Sequence, residues 1–335
     1  MGCGMAGCWR DRILAGLLLG LACIGPVRAQ ATPEESARRI AITIDDLPWV
    51  SVEGLDAAQL DARHQRLMAA LDAAGVPVTG FVNGDRLESA GQVLQERLRM
   101  LVDWLDRGHA LGNHTYGHVD LHAVGLEAYR QAIAEGEREL RPLLAETGTV
   151  PRWFRHPYLR AGRSADDRAA LQVFLDAHGY RIAPVTIDNS DWIWALAYRR
   201  TLDAEPAAGR EDTLARLREA YVPYMLAKVE YYERQSRELL GREIAQVWLL
   251  HANELNAEAF PALVAGVQAR GYRVVALEEA MQDPAYARGA EGYDGRSGLS
   301  WLHRWAIGEG KGRDFFAGEP ATPAWVLTLA GVEAE

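Results

Sequence analysis

The chain has 335 residues and a formal net charge of −10, an acidic balance that argues against nucleic acid or an anionic membrane surface as partner. All three cysteines, Cys3, Cys8 and Cys23, lie near the start, so the rest of the chain can use neither disulfides nor thiolate ligands. Any metal held there must sit on His and carboxylate.

The first segment reads as a secretory signal. Arg10 and Arg12 precede the apolar run ILAGLLLGLACIG (13–25), which is too short to span a bilayer and is followed by Ala29-Gln30-Ala31, an A-x-A cleavage site. Residues 1–31 are therefore expected to be removed on export to the periplasm or the medium, with no stable membrane insertion. Val27-Arg28-Ala29 is the competing cleavage site, and acylation of Cys23 is disfavoured because Gly20 stands where such sites want a larger aliphatic residue. Loss of Arg10, Arg12 and Arg28 against Asp11 takes the formal charge to about −12, and the remaining chain is long enough for one large domain with a sizeable core.

From residue 38 short apolar runs alternate with longer amphipathic ones. RIAITI (39–44) is the continuous, β-branched run of a buried parallel strand, and the helical spacing of 56–75 ends at a glycine stop. Further strands are predicted at 76–82, 109–114, 153–157, 181–187, 244–251 and 272–277. Helices are predicted at 93–108, around 165–178, around 211–240, and from His251 to about 270. Repeated strand–helix units without a strand-only block imply a parallel sheet wrapped by helices, either an open doubly wound sheet or a barrel. Between Trp192 and His251 there is more chain than one crossover needs, with aromatics along YVPYMLAKVEYYERQSRELL; after Pro284 a glycine-rich stretch leads to LSWLHRWAIG and a tail punctuated by prolines. Both read as packing elements, since aromatics at helical spacing are more often core than cleft.

Nearly every predicted strand ends in a residue capable of chemistry: Asp45-Asp46, Asn83 and Asp85, His114 and His118, Arg155, Asp188 and Asp191, and His251. In parallel α/β architectures the C-terminal strand ends form the functional face, so these residues should converge. His114, His118 and His122 are four apart, which on a helix would align three imidazoles. With 9 histidines in 335 residues, chance alone supplies roughly a quarter of one such pair. The first two can share an ion more easily than all three, because a helix turns away by about 40° per four residues; His122 is therefore left out. Two adjacent carboxylates after a buried strand point in different directions and repel, so a cation is their natural compensation. One Asp with two His makes a three-ligand site with open positions, the arrangement of catalytic zinc, although Mn²⁺, Co²⁺ or Ni²⁺ suit the same donors.

A cation lowers the pKa of a bound water towards ~7, and the carboxylate of the pair not used as ligand can serve as its base, held ionised by Arg155. His251 can protonate a departing nitrogen, with Asp191 raising its pKa and fixing its tautomer. His156 and Asp188 remain ambiguous.

These residues resemble the polysaccharide deacetylases of the NodB-homology type, carbohydrate esterase family 4. ITIDD is similar to the first motif, which implies Asp45 as base and Asp46 as metal ligand. HTYGH is similar to the second, implying His114 and His118 as ligands. RHPY is similar to the third, pairing Arg155 with the base and offering the Tyr158 backbone N–H to an oxyanion. DNSDW resembles the fourth, with Asp191 as partner of the acid and Trp192 as a cleft wall, and LLH resembles the last, with His251 as acid and Leu249 lining a methyl pocket. The resemblance implies a distorted (β/α) barrel with fewer than eight regular strands over 36–283, an insertion at about 195–243, and a C-terminal extension, 284–335, packed on the barrel. It also implies metal-dependent removal of acetyl groups from N-acetylglucosamine-containing glycans. Ile44 stands where the family usually has Phe, and the glycine common just after P-Y is displaced to Gly162. Hydrolysis of a non-sugar amide or an O-acetyl ester is the alternative, because fold does not fix function. A silent glycan-binding protein would not need base, acid and all three ligands. No protein partner is inferred.

Overall fold

Strand β1 (Arg38–Leu47) organises the molecule. Ile40, Ala41, Ile42 and Ile44 are all essentially inaccessible, as expected of a strand covered on both faces. The computed structural model describes Met1 and residues 38–204, 209–290 and 292–335, so the expected signal segment, Met1 apart, lies outside the described residues. Residues Ala37–Glu335 form one compact unit.

Around β1 the sheet runs in the order β7 (Arg181–Ile182), β6 (Trp153–Phe154), β5 (Ala110–Asn113), β2 (Val78–Val82), β1, β8 (Gln246–His251), with β9 (Tyr272–Val274) beside the start of β1. Every pair in this sheet is parallel. A two-stranded hairpin, β3 (Glu88–Ser89) with β4 (Gln92–Val93), stands apart.

The predicted strand at 181–187 is split into two short contacts, and the split closes the sheet. At its start the segment pairs with β6; five residues later Ile187 forms a parallel bridge to Trp248 of β8, with the Leu249 amide bonded to the Ile187 carbonyl at 3.2 Å. Pro184 lies between the two and has no N–H to give a ladder. One chain segment thus joins the two edges, which makes the sheet a distorted (β/α) barrel rather than an open doubly wound sheet.

Helices cover the outside and are terminated by local chemistry. α1 (Ala57–Ala74) starts with a reciprocal capping box between Asp56 and Gln59 and stops at Gly75, whose φ of 62° a residue with a Cβ rarely adopts. α2 (Gln95–Asp106) follows. Beyond β5, α3 (Leu121–Val124), α4 (Leu126–Gly136) and α5 (Leu140–Glu146) occupy a stretch for which the sequence pattern offered no clear element. α6 (Ala165–Ala177) and α7 (Asp191–Asp203) precede the longest helix, α8 (Arg210–Leu240). Tyr221, Tyr224, Tyr231 and Tyr232 of α8 are all buried, so its aromatic face is packing surface. α9 (Glu254–Ala269) is capped by Asn253, whose side chain accepts from the Asn256 amide.

After α10 (Leu277–Ala280) the chain doubles back over the molecule through α11 (Trp301–Gly308) and α12 (Ala324–Ala330). His303 of α11 lies against Tyr231 and Tyr232, Trp325 meets Trp194 edge-on at 6.0 Å, and Lys228, nearly inaccessible inside α8, pairs with Glu319 at 2.8 Å. Among the described residues no helix is long and apolar enough to cross a membrane.

Candidate metal centre and acid–base pair

Residues in a regular strand point alternately to opposite faces, so Asp45 and Asp46 were expected to diverge. They converge instead. The pairing register between β1 and β2 shifts between Ile44 and Leu47, and Asp46 takes a φ of 73°. This bulge turns both carboxylates to one centre. His114 Nε2 is 3.7 Å from Asp45 Oδ2 and 3.9 Å from Asp46 Oδ1.

The His-x-x-x-His spacing is likewise not helical. His114 directly follows β5, and the chain then turns through Thr115 (φ 71°), Gly117 (φ 77°) and His118 (φ 46°), which returns His118 Nε2 to 3.8 Å from Asp46 Oδ1. A helix would have placed the rings one turn apart along its axis, whereas this turn wraps them round a point. His122 falls on α3, with Nδ1 at 3.0 Å from the Arg296 carbonyl, outside the cluster.

Asp46, His114 and His118 are the sole group of potential ligands among the described residues whose donor atoms lie within 4.8 Å of one another. Their protonation suits a cation. His114 Nδ1 lies 2.9 Å from the Arg155 carbonyl, which can only accept, so that nitrogen carries the proton and Nε2 offers its lone pair to the centre. Burial holds the His114 pKa well below its ordinary value and lowers that of His118. Burial alone would raise the pKa of Asp46, but Arg86 and the neighbouring imidazoles hold it well below the usual carboxylate range. One anion and two neutral imidazoles, with positions left for other ligands, fit a divalent ion of the zinc type.

Two residues the sequence reading left without a role support Asp46. Asn83 Nδ2 donates to Asp46 Oδ1 at 2.6 Å, and Arg86 reaches the same oxygen at 3.2 Å and the Asp46 carbonyl at 3.1 Å. Asn83 stood out as a polar strand end; nothing in the sequence pointed to Arg86.

Arg155 is fully buried and spreads its donors. Nη1 lies 3.3 Å from Asp45 Oδ2, Nη2 bonds Thr43 at 3.0 Å, and Nε bonds the Ala183 carbonyl at 2.9 Å, with the guanidinium 4.6 Å above Phe81. Burial raises the Asp45 pKa to about 6 despite Arg155. Its Oδ1 is buried with no hydrogen-bond partner among the described residues. An acceptor left open in this way is one that a proton or a water hydrogen can occupy.

His251 ends β8. Its Nδ1 lies 2.6 Å from Asp191 Oδ1, and its amide bonds Asp191 Oδ2 at 2.8 Å. Asn256 donates to the same Oδ2 at 2.8 Å, and Tyr221 in turn donates to Asn256 at 2.6 Å. Asn256 was not anticipated; its position in the first turn of α9, five residues after the strand-end histidine, was the available signal. Burial disfavours the charged imidazole, but Asp191 outweighs it and raises the His251 pKa to about 10. Asp191→Asn should therefore move the alkaline limb of a pH–rate profile down from about 10 towards the ordinary value of ~6.5. At pH 8 that costs about 30-fold in rate, because only a few per cent of an imidazole with that pKa stays protonated. An unmoved limb in a pH titration of the variant would separate Asp191 from the acid.

Tyr158 and Trp192 are large aromatic residues left about half exposed, at 54% and 44%, whereas Leu249 is buried at 5%. Tyr158 meets the His118 ring edge-on at 4.5 Å. Neither ambiguous residue joins the donor set. His156 is a neutral core histidine, its pKa lowered to about 3 by burial and its Nδ1 at 3.1 Å from the Tyr129 hydroxyl. Asp188 accepts from the Asn189 amide at 2.8 Å, and burial raises its pKa to about 6.

Fold and site together define a parallel-barrel α/β protein whose strand ends gather an Asp–His–His group able to hold a cation, a buried carboxylate and a histidine paired with Asp191. Residues 32–175, under half of the chain, match the family model described as polysaccharide deacetylase. The matched stretch holds Asp45, Asp46, His114, His118, Arg155 and Tyr158, whereas Asp191, Trp192, Leu249 and His251 come after it. A chitin deacetylase of Pestalotiopsis sp is 26% identical over 189 residues, 54% of this chain and 55% of that one. A peptidoglycan-N-acetylglucosamine deacetylase of Bacillus cereus is 26% identical over 153 residues, 46% of each. The chain thus spans about half the length of the curated relatives it matches. The solved structure of the peptidoglycan deacetylase PdaC of Bacillus subtilis aligns at 18% identity with a TM-score of 0.46, covering 77% of this chain and 97% of that one.

Proposed function

We propose that the protein is an exported, metal-dependent hydrolase that removes acetyl groups from N-acetylglucosamine-containing glycans. The observation that carries this reading is the pairing of opposed protonation states in one cluster: a carboxylate, Asp45, with an open oxygen, and an imidazole, His251, held charged by Asp191. Base and acid poised together suit amide hydrolysis, in which water must lose a proton and the leaving nitrogen must gain one.

Asp46, His114 and His118 would hold the cation, zinc being the best match to the donors. Once bound it would supply Lewis acidity towards an acetyl carbonyl and towards water. The chain's own residues do the rest. Asp45 takes the proton of the attacking water, and Arg155 orients it. The backbone N–H of Tyr158 faces the developing oxyanion. His251 delivers a proton to the nitrogen as the C–N bond breaks, with Asp191 fixing the tautomer in which Nε2 is free to donate. Leu249 lines the space for the acetyl methyl, and the exposed rings of Tyr158 and Trp192 offer sugar-stacking surfaces at the rim.

The test is acetate release by the purified protein from chitin oligosaccharides, peptidoglycan and a small aryl acetate, with chelator and with added Zn²⁺. Chelator-sensitive release from one glycan is the expected result. Release from the aryl acetate alone would favour an ester or a non-sugar amide as substrate. A protein that binds one metal per chain yet acts on none of the three would overturn the glycan-deacetylase reading in favour of a non-sugar amide or of a binding role.

A further inference from the structure

We propose that the C-terminal segment 293–304 is a positioning element of this site, with Gly298 and Arg304 clamping the Tyr158–Leu159 turn in the conformation the site requires. The proposal rests on the hydrolase reading above.

The turn needs a clamp. Tyr158 has φ 56° and Leu159 φ 52°, two consecutive non-glycine residues in the left-handed region. Such a pair persists only where its surroundings over-determine it. The turn's own bonds, from the Leu159 amide to the His156 carbonyl and from the Arg160 amide to the Pro157 carbonyl, both at 3.1 Å, are those of any tight turn. Unlike the strand-end residues, Tyr158 has no sheet ladder to fix it, yet its ring abuts the His118 imidazole.

Segment 293–304 supplies what is missing. Arg304 is 1% exposed, and its Nη2 donates to the Leu159 carbonyl. Its Nε donates to the Leu299 carbonyl at 3.2 Å, and the guanidinium lies over the rings of Tyr293 at 5.3 Å and Trp301 at 5.2 Å. Among the described residues no carboxylate lies within ion-pair distance of it. A buried cation without a counter-ion is unfavourable unless carbonyl dipoles and aromatic faces satisfy it, and Leu159 provides one of those dipoles. Gly298 completes the contact, because a Cβ at that position would overlap the Tyr158 carbonyl oxygen. Only glycine allows the two backbones to come so close.

The segment is itself anchored to the barrel. The Trp301 amide bonds the Val185 carbonyl at 2.7 Å, in the stretch that closes the sheet, and Ser300 caps α11 by accepting from the His303 amide at 3.2 Å. On the other side the Arg296 carbonyl meets His122 Nδ1 at 3.0 Å. The clamp therefore ties the Tyr158 turn to α3 and to the closing segment. Oxyanion donors work by being held in place before reaction, and a displacement of about 1 Å can cost about 10² in rate. Arg304 and Gly298 touch no substrate and act through Tyr158.

Arg304→Met, Arg304→Lys and Gly298→Ala, each in the full chain, test this with two independent readouts. Backbone amide exchange over 158–161, measured without metal, should quicken at least about tenfold in Arg304→Met and Gly298→Ala and less in Arg304→Lys. Acetate release should show kcat down by about 10–10² with KM close to wild type and zinc stoichiometry unchanged, the pattern of a contact made only in the transition state. Unchanged exchange in folded Gly298→Ala or Arg304→Met overturns the clamp. Faster exchange with wild-type kcat, or a rate loss that tracks loss of zinc, overturns the positioning role. Should Arg304→Met fail to fold, Gly298→Ala and Arg304→Lys decide. A wild-type protein inactive on every glycan overturns the hydrolase reading instead, and the exchange rates still decide the clamp.

Discussion

Asp46→Ala and His114→Ala should each lose the bound cation and all measurable hydrolysis together. Asp46 is the only anion of the triad, and its Oδ1 is the point on which both imidazoles, Asn83 and Arg86 converge. With alanine there, the donor set falls to two neutral nitrogens, and Asp45, the one carboxylate left nearby, is already paired with Arg155, too little to hold a divalent ion. His114 has no substitute either, since its ring is oriented by the Arg155 carbonyl and is almost inaccessible, so solvent cannot refill the position without rearrangement. Replacing a residue that merely supports a ligand typically weakens metal binding by about 10–100-fold, and losing the ligand itself should exceed that. Metal content after dialysis and titration calorimetry with Zn²⁺ are the measurements. Wild-type stoichiometry in either variant would remove that residue from the ligand set.

Much of this arrangement was legible because buried parallel strands write their chemistry at fixed places. The run RIAITI, the capping box and glycine stop of α1, and the strand-end histidine of β8 each reflect a local rule, and local rules hold whatever the rest of the chain does. Strand ends pointed to the residues that converge for the same reason. What was not legible was direction. Regular alternation predicted that Asp45 and Asp46 would diverge, and helical spacing predicted aligned histidines. Both geometries were overridden by residues with positive φ, which sequence spacing cannot show: Asp46, Thr115 and His118 break the regular pattern where the side chains converge. Partners brought from far along the chain were equally invisible. Arg86 reaches Asp46 across 40 residues and Arg304 reaches Leu159 across 145, and neither pairing leaves any periodic trace. The helices between residues 121 and 146 were passed over because they are short and interrupted, so no apolar period persists long enough to be read.

Asp45→Asn should retain the cation but lose about 10²–10⁴ in rate, the usual contribution of a positioned base. Asp45 does not belong to the tight donor set, so its amide analogue leaves Asp46, His114 and His118 complete. What disappears is the capacity to take a proton. In the wild-type protein the base must be ionised, so activity rises with pH through the Asp45 pKa, at or below about 6 since a bound cation adds to the lowering by Arg155. That acid limb should be absent from whatever activity the variant keeps, while the alkaline limb set by His251 stays. A stability cost accompanies the loss, because Arg155 is fully buried and Asp45 is its counter-ion; stranding one partner of a buried pair costs about 3–5 kcal/mol, here reduced because the Asn oxygen can still accept and because Thr43 and the Ala183 carbonyl keep their bonds. Thermal unfolding must therefore be measured beside kcat, at a temperature where both proteins are folded. Near wild-type turnover in the folded, zinc-loaded variant would remove Asp45 from the base role. Loss of zinc with rate would instead draw Asp45 into the ligand set, and the bulge that brings the two carboxylates together would then serve metal binding alone.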